Sequence, residues 1–514
     1  MKTLLFNICI LFSITVFADV QLAELFNSHM ILQRDSKVPI WGTAAPGEKI
    51  TVKFNGQDLS STADAKGKWE IQLSPMKYGG PFTLTVEGNN NIVLDDILIG
   101  DVWIVSGQSN TPWGTGGKDL LPQAKALMAK TTTVRHGKLS YLEKTNEYPD
   151  TRMNGRVVWS SGAPKHSFAL PVFFLYPINL ATGIPQGFVL TARAGTSIEP
   201  WISMVGYDSV EGLDDFKKKL EILRPGSTEY KTHSEKQFAY IKQWQKQARD
   251  NDSANMPLPA LEIPPRVHPT QQHRYPTCLY NGCIAPLEPM AIKGFFWYQG
   301  ESNVGDKEYQ KKLVAFTSGI RKAFRSPDAS FFIVEPCPYK GYGTNNAKLA
   351  ELWEQQQAFA DADGKSYVTV TGDIGDVNDW HPGGRSKEYI STRLSNLALK
   401  HLYGKSDIPA DFPRVDTVVP EGSTLVLTFK HAKELHSSDG EAIRHFEVAG
   451  ADGKYYPAKV EISANKIILS SEKVAKPLNA RYCWSNVAVP NLYNEANLPP
   501  ISFRTSKGST TDEL

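Results

Sequence analysis

Five short apolar runs, at residues 97–105, 187–192, 294–298, 331–335 and 367–371, recur between Ile92 and Gly404, with helix-periodic stretches separating them. A strand covered on both faces reads as an unbroken apolar run, and joining two such strands in parallel takes a crossover long enough to hold a helix. The pattern therefore predicts an α/β domain built on a mainly parallel sheet. Two helices are expected within it. At residues 234–249 Phe238, Ile241, Gln245 and Ala248 mark one face, and at residues 387–402 Ile390, Leu394 and Leu397 do the same; these faces are expected to pack on the sheet or on an insertion at about 205–276. Residues 257–276 are too rich in Pro for regular structure and read as a long surface connection.

The flanks follow another period. Residues 49–54 and 82–86 alternate apolar and polar side chains between Gly, Pro and Asn, and residues 424–429 and 459–462 resume that alternation after the α/β region. The organisation read from this is an N-terminal β domain at 19–91, an α/β domain at 92–404 and a C-terminal β domain at 405–514.

The first eighteen residues carry an address rather than a fold. Lys2 precedes an apolar run at 4–17, and Val16-Phe17-Ala18 resembles a signal-peptide cleavage site. Cleavage after Ala18 would give a secreted or periplasmic protein with no further membrane attachment, since the run is short for a bilayer span. In a eukaryotic source a lysosomal or endoplasmic-reticulum location also fits, and the terminal Thr511-Asp512-Glu513-Leu514 loosely resembles a retrieval tail. Of five cysteines, Cys9 leaves with the leader. Cys278, Cys283, Cys337 and Cys483 form neither a disulfide scaffold nor a zinc-ligand spacing, and buried thiols are expected, with Cys278 and Cys283 close enough in sequence to pair. With 56 basic and 54 acidic side chains, a formal charge of +2 supplies no field to collect a phosphate backbone, so nucleic acid is not an expected partner.

The chemistry lies at strand ends. The run at 100–105 leads straight into Ser106-Gly107-Gln108-Ser109-Asn110, which exposes Ser109 where a nucleophile would need to be. Residue 111 is Thr, so the Gly-x-Ser-x-Gly elbow of α/β-hydrolases is absent. At the far end of the domain, Asp373-Ile374-Gly375-Asp376-Val377-Asn378-Asp379-Trp380-His381-Pro382 puts His381 in a loop after a strand, where catalytic groups of open α/β sheets collect. Two more strand ends are polar: Ala194-Gly195-Thr196-Ser197, and Trp297-Tyr298-Gln299-Gly300-Glu301-Ser302-Asn303.

Ser, Gly, Gln or Asn, and His at four successive strand ends resemble the constellation of the SGNH hydrolases. The chain as a whole resembles the sialate O-acetylesterase family of SGNH carbohydrate esterases. The likeness extends to Met30-Ile31-Leu32-Gln33-Arg34, Val38-Pro39-Ile40-Trp41-Gly42, Arg481-Tyr482-Cys483-Trp484-Ser485-Asn486 and Pro490-Asn491-Leu492-Tyr493-Asn494. It implies a flavodoxin-like three-layer SGNH domain with a parallel sheet, flanked by β-sandwich-like domains at both ends. It also implies a serine O-acetylesterase that needs no cofactor or metal. Ser109 would be the nucleophile and His381 the base, and the backbone N–H groups of Ser109 and Gly195 would hold the oxyanion together with the Gln299 side chain. Asn303 is the alternative side-chain donor, and Gln108 and Glu301 are supporting groups, Glu301 as an acceptor that orients its neighbours.

The acid is open. Many SGNH enzymes place an Asp three residues before the His, where this chain has Asn378; Asp379 is preferred here, with Asp376 behind it and a backbone carbonyl as the third choice. Thr111-Pro112-Trp113 replaces the usual Met and Glu, and Ala192-Arg193-Ala194-Gly195 replaces Ser-Trp-Gly-Gly; both changes are expected near the acyl or sugar pocket. Arg193 suits the carboxylate of a sialic acid, and Trp113, Trp380 and Trp201 suit sugar stacking, with core burial the other reading of Trp201. The expected substrate is thus an O-acetylated sialic acid or glycan. Acetylated plant polysaccharide such as xylan is the alternative within enzymes, and an inactive glycan-binding protein is the alternative outside them.

Overall fold

The computed structural model describes residues 19–114, 121–141, 155–161, 168–222, 226–260 and 274–505. The leader at 1–18, the tail at 511–514 and most of the connection at 257–276 lie outside them.

A seven-strand sheet forms the centre. Its strands are β1 (Asn91–Gly107), β2 (Val134–Tyr141), β3 (Gly155–Ser161), β4 (Gln186–Ala192), β5 (Gly294–Tyr298), β6 (Ser330–Val334) and β7 (Ser366–Thr369), in the order β3-β2-β4-β1-β5-β6-β7. The hairpin pair β2–β3 is antiparallel and every other neighbour along this path is parallel. Each central strand divides its side chains between two cores. Trp103, Val105, Phe188, Phe296, Phe332 and Val334 face helices α1 (Ala169–Thr182) and α5 (Gly384–Tyr403). Ile104, Val189, Phe295, Trp297, Phe331 and Ile333 face the other way, onto α3 (Tyr309–Ala323) and α4 (Lys348–Asp363). The five apolar runs are unbroken because helices cover both sides of the strands they form.

Strand β1 ties this sheet to the N-terminal region. Its first half pairs with Gly79–Glu87 and with Ile31–Gln33, and its second half lies between β4 and β5. One apolar core runs from Val20 and Ile40 through Ile104 and Phe295 to Val368. Position 92, expected at the edge of a separate β domain, therefore sits inside a continuous strand. The C-terminal region does have its own core, of Leu425, Leu427, Phe446, Ile467, Leu469 and Tyr482 between two four-strand sheets. It grips the α/β region through Asn486, which accepts from the Leu349 N–H and donates to the Tyr342 and Gly343 carbonyls, and through the Tyr493 hydroxyl on Asp373. Asn486 and Tyr493 belong to the two tail motifs singled out in the sequence.

Helix α2 (Thr228–Ser253) corrects one expectation. It forms over a longer stretch than its periodicity indicated, but of the face marked by Phe238, Ile241, Gln245 and Ala248 only Ala248 is buried, and Phe238 is 70% exposed. Helix propensity and a Ser227 N-cap on the Tyr230 N–H form this helix, with little help from core packing. By contrast Ile390, Leu394 and Leu397 of α5 are buried as expected. All four described cysteines are buried and none is in a disulfide, so Cys278 and Cys283 are not joined.

Candidate active site

Strands β4, β1 and β5 end level with one another: Gly107 is in register with Ala192 on one side and Tyr298 on the other. Chain direction through the sheet reverses about β1, and open α/β sheets bind ligands at the carboxyl ends of the strands beside such a reversal. Gly107 starts the serine turn. Its φ is +142°, and a Cβ there would lie 2.1 Å from the Tyr298 carbonyl oxygen, so only glycine fits. The turn is then fastened on both sides. Arg193 N–H donates to the Gly107 carbonyl at 3.0 Å, and Gln108 N–H donates to the Tyr298 carbonyl at 3.0 Å. The Thr111 hydroxyl reaches the same Tyr298 carbonyl at 3.2 Å. Thr111 is fully buried, so the residue expected at a pocket wall closes the serine turn instead.

Ser109 stands at the tip of this turn, and its Oγ lies 2.9 Å from His381 Nε2. Two residues 272 positions apart in the sequence are thus brought into hydrogen-bond contact. The Ser109 and Gly195 N–H groups donate to no protein acceptor among the described residues, and Gly195 turns through a φ of +67° with open space where a Cβ would be. A hydroxyl on an imidazole, beside free backbone donors, can carry out nucleophilic acyl transfer.

Other expected residues take different parts. Gln299 is fully buried, and its amide nitrogen donates to Asn303 Oδ1 at 2.8 Å and to the Thr196 carbonyl at 3.1 Å, while Oε1 accepts from the Tyr309 hydroxyl at 2.8 Å. Both amide hydrogens are spent, leaving none for an oxyanion. Asn303 is likewise engaged: Oδ1 accepts from the Ile198 N–H at 3.0 Å and Nδ2 donates to Asp306 at 3.0 Å. These two amides brace the loop that bears Gly195, because a buried side-chain amide that finds fixed partners in the protein core does not stay free for substrate.

Asp379 is corrected in the same sense. Its carboxylate accepts from the His381 backbone N–H at 2.9 Å and not from the ring, while Asp376 accepts from the Asn378 N–H and side chain. An Asp two residues ahead of an N–H readily closes such a turn on the main chain, which removes it from the imidazole. Among the described residues the ring makes one hydrogen bond, to Ser109. The Trp113 ring lies 6.3 Å from it, tilted by 31°.

Beneath the serine, Glu301 accepts from Asn110 Nδ2 at 2.7 Å, and the Gln108 amide, with its nitrogen turned inward, donates to Glu301 and to the Thr196 carbonyl at 3.2 Å each. Burial pushes the Glu301 carboxyl above the usual range, against the pull of Asn110 and Lys387. Lys387, in the first turn of α5, was missed by the motif reading. It is fully buried, donates to Asn110 Oδ1 at 2.6 Å and lies over the Tyr298 ring at 4.8 Å. A signal for it exists in the sequence: Lys387 precedes Ile390, Leu394 and Leu397 by three, seven and ten residues, on the apolar stripe of the helix.

At the rim, Arg193 is exposed and its guanidinium has no ion-pair partner among the described residues. Trp380 is 38% exposed, edge-on to Tyr339 at 4.9 Å between ring centres and tilted by 55° against Tyr342 at 5.5 Å. Trp201 is core: fully buried, with its indole N–H on Thr196 and its ring against Trp297.

The chain is 25% identical to a mouse protein named sialate O-acetylesterase, over 90% of this chain and 89% of that one. It is 26% identical to the human protein of that name, over 90% and 87%. Among solved structures, a carbohydrate acetylesterase from Xanthomonas citri superposes with a TM-score of 0.75 at 27% identity, over 95% of this chain and all of that one. No protein-family profile matches the chain.

Proposed function

We propose that this esterase, a relative of the sialate O-acetylesterases along nine-tenths of its length, is an exported carbohydrate deacetylase that removes O-acetyl groups from sialic acids through an acetyl-enzyme. The observation that carries the reading is the 2.9 Å contact between Ser109 Oγ and His381 Nε2 at the carboxyl edge of the sheet.

In this mechanism Ser109 Oγ attacks the acetyl carbonyl carbon as its proton passes to His381 Nε2, and the carbonyl electron pair moves onto oxygen. The Ser109 and Gly195 N–H groups hold that oxyanion. Collapse breaks the bond to the sugar oxygen, which leaves with the proton from His381. Water then attacks the acetyl-enzyme, gives its proton to His381 and releases acetate as Ser109 recovers its hydrogen. No carboxylate is assigned to the imidazole, so the pair works as a dyad.

The exposed Arg193, with no ion-pair partner among the described residues, is what favours a sugar acid, since a planar guanidinium recognises a carboxylate in a bidentate way. Trp380 with Tyr339 and Tyr342 would give the sugar ring a stacking wall. Export follows from the leader pattern around Lys2 and Ala18.

The test is acetate release from 9-O-acetylated sialic acid and from acetylated xylan, measured in parallel with Ser109→Ala as control. The expected outcome is a preference for the sialic acid and a fall of at least about a thousandfold in the variant. A preference for xylan would remove the role of Arg193 and keep the Ser109 chemistry. Full activity in Ser109→Ala would end both.

A further inference from the structure

Lys387 links the two halves of the site. It lies six residues beyond His381, at the head of the helix that continues the His381 loop, and it reaches across to the residue that follows Ser109. An ammonium has three hydrogens to place, yet among the described residues Lys387 has a single hydrogen-bond acceptor, Asn110 Oδ1 at 2.6 Å. Its ammonium also lies over the faces of Tyr298 at 4.8 Å and Trp113 at 5.7 Å. A cation buried with so few partners is costly, and a neutral side chain of the same length would span the gap at a smaller desolvation cost. Resting on the reading of Ser109 and His381 as nucleophile and base, we infer that Lys387 is a positioning residue of the esterase, clamping the Ser109 turn to the His381 segment through Asn110 and keeping a positive charge behind the nucleophile.

The clamp is a chain of three side chains: Lys387 donates to Asn110, and Asn110 donates to Glu301 at 2.7 Å. Both amide ends of Asn110 are therefore fixed, and the backbone of the serine turn with them. The charge has a second effect. A cation behind Ser109 favours the negative charge that develops on the attacking oxygen and the acetyl oxygen. The groups that face Lys387 are Glu301 on the turn after β5, Cys337 after β6, Asp379 in its own loop and the Tyr298 ring. Against them, burial dominates and pulls the ammonium down to about 8. The cation is thus present at neutral pH and lost as pH rises through that value, and activity that depends on it declines over the same interval.

The experiment measures kcat and KM for 4-nitrophenyl acetate from about pH 6 to about pH 10 for the wild type, Lys387→Met, Lys387→Arg and Asn110→Ala, with thermal unfolding as a check on folding. Lys387→Met is expected to lower kcat about tenfold or more with KM within about twofold, and to abolish the alkaline decline. Lys387→Arg stays charged across the range, so it is expected to move that decline upward. Asn110→Ala cuts the clamp and leaves the lysine, and is expected to reproduce the loss in kcat even if Lys387→Met does not fold. A kcat within about twofold of wild type in Lys387→Met or Asn110→Ala, or an unmoved alkaline decline in Lys387→Arg, overturns the inference. If those results come with an inactive Ser109→Ala, only the clamp falls; an active Ser109→Ala removes the esterase reading beneath it.

Discussion

The turn after β1 delivers Ser109 and the loop after β7 delivers His381, and the two are held in different ways. The serine turn lies among buried neighbours, with Gly107 in register with two strands and with Gln108, Asn110 and Thr111 tied to β5, Glu301 and Lys387. Residues 375–381 are largely exposed, and their short-range hydrogen bonds are local turns of Asp376 on Asn378 and Asp379 on the His381 backbone. Ser109 is thus set by the sheet, while His381 depends on a surface loop anchored at its two ends and at the Val377 carbonyl, which accepts from the Lys340 N–H. The upstream anchor is the Thr371 hydroxyl on the Glu335 carbonyl together with the Asp373–Arg393 pair, and the downstream one is α5. A site divided in this way would keep the proposed nucleophile fixed and leave adjustment to the proposed base.

Three substitutions sharpen that contrast. The largest expected effect comes from Gly107→Ala on the rigid side. The new Cβ meets the Tyr298 carbonyl at 2.1 Å, in a backbone conformation that L-residues rarely adopt, so urea unfolding should show a loss of ~3 kcal/mol or more, with activity falling alongside. On the loop side, Asp379→Asn is expected to reduce kcat/KM by less than about tenfold, because its partner is a backbone N–H; an acid seated on the imidazole would cost about ten-thousandfold. Steady-state kinetics at one pH separates the two.

The smallest effect concerns the loop's upstream anchor. Burial pushes the Glu335 carboxyl from 4.5 up to about 8, so between those values the folded protein holds a proton that the unfolded chain releases. Its contribution to stability is complete below about pH 4.5 and is lost as pH rises through about 8. Glu335→Gln keeps the hydrogen-bonding shape without the charge. It should flatten this part of the stability profile and raise the unfolding temperature at alkaline pH by ~2 °C.

The same contrast decided what could be read from the sequence. The buried strands were legible because double-sided burial leaves unbroken apolar runs, and Ser109 and His381 because each follows such a run in a polar turn. Side-chain partners were less legible. Asp379 has the composition of a triad acid, and only the backbone path of its turn sends it to the His381 N–H. Gln299 has the composition of an oxyanion donor, but Asn303, Thr196 and Tyr309 claim its amide from three other segments. The continuity of β1 was hidden as well, since its first half alternates like an edge strand and its second half reads as core. Phe238 and Ile241 show the converse: a helical apolar spacing does not by itself supply a surface to bury against.

The central claim is that Ser109 is the nucleophile, activated by His381. Its most direct test is to treat the protein with a fluorophosphonate and map the modified peptide by mass spectrometry while acetate release is followed. One modification is expected, on Ser109, proceeding in step with loss of activity and much slower in His381→Ala. Modification at another residue, or acetate release that survives complete labelling of Ser109, would contradict it.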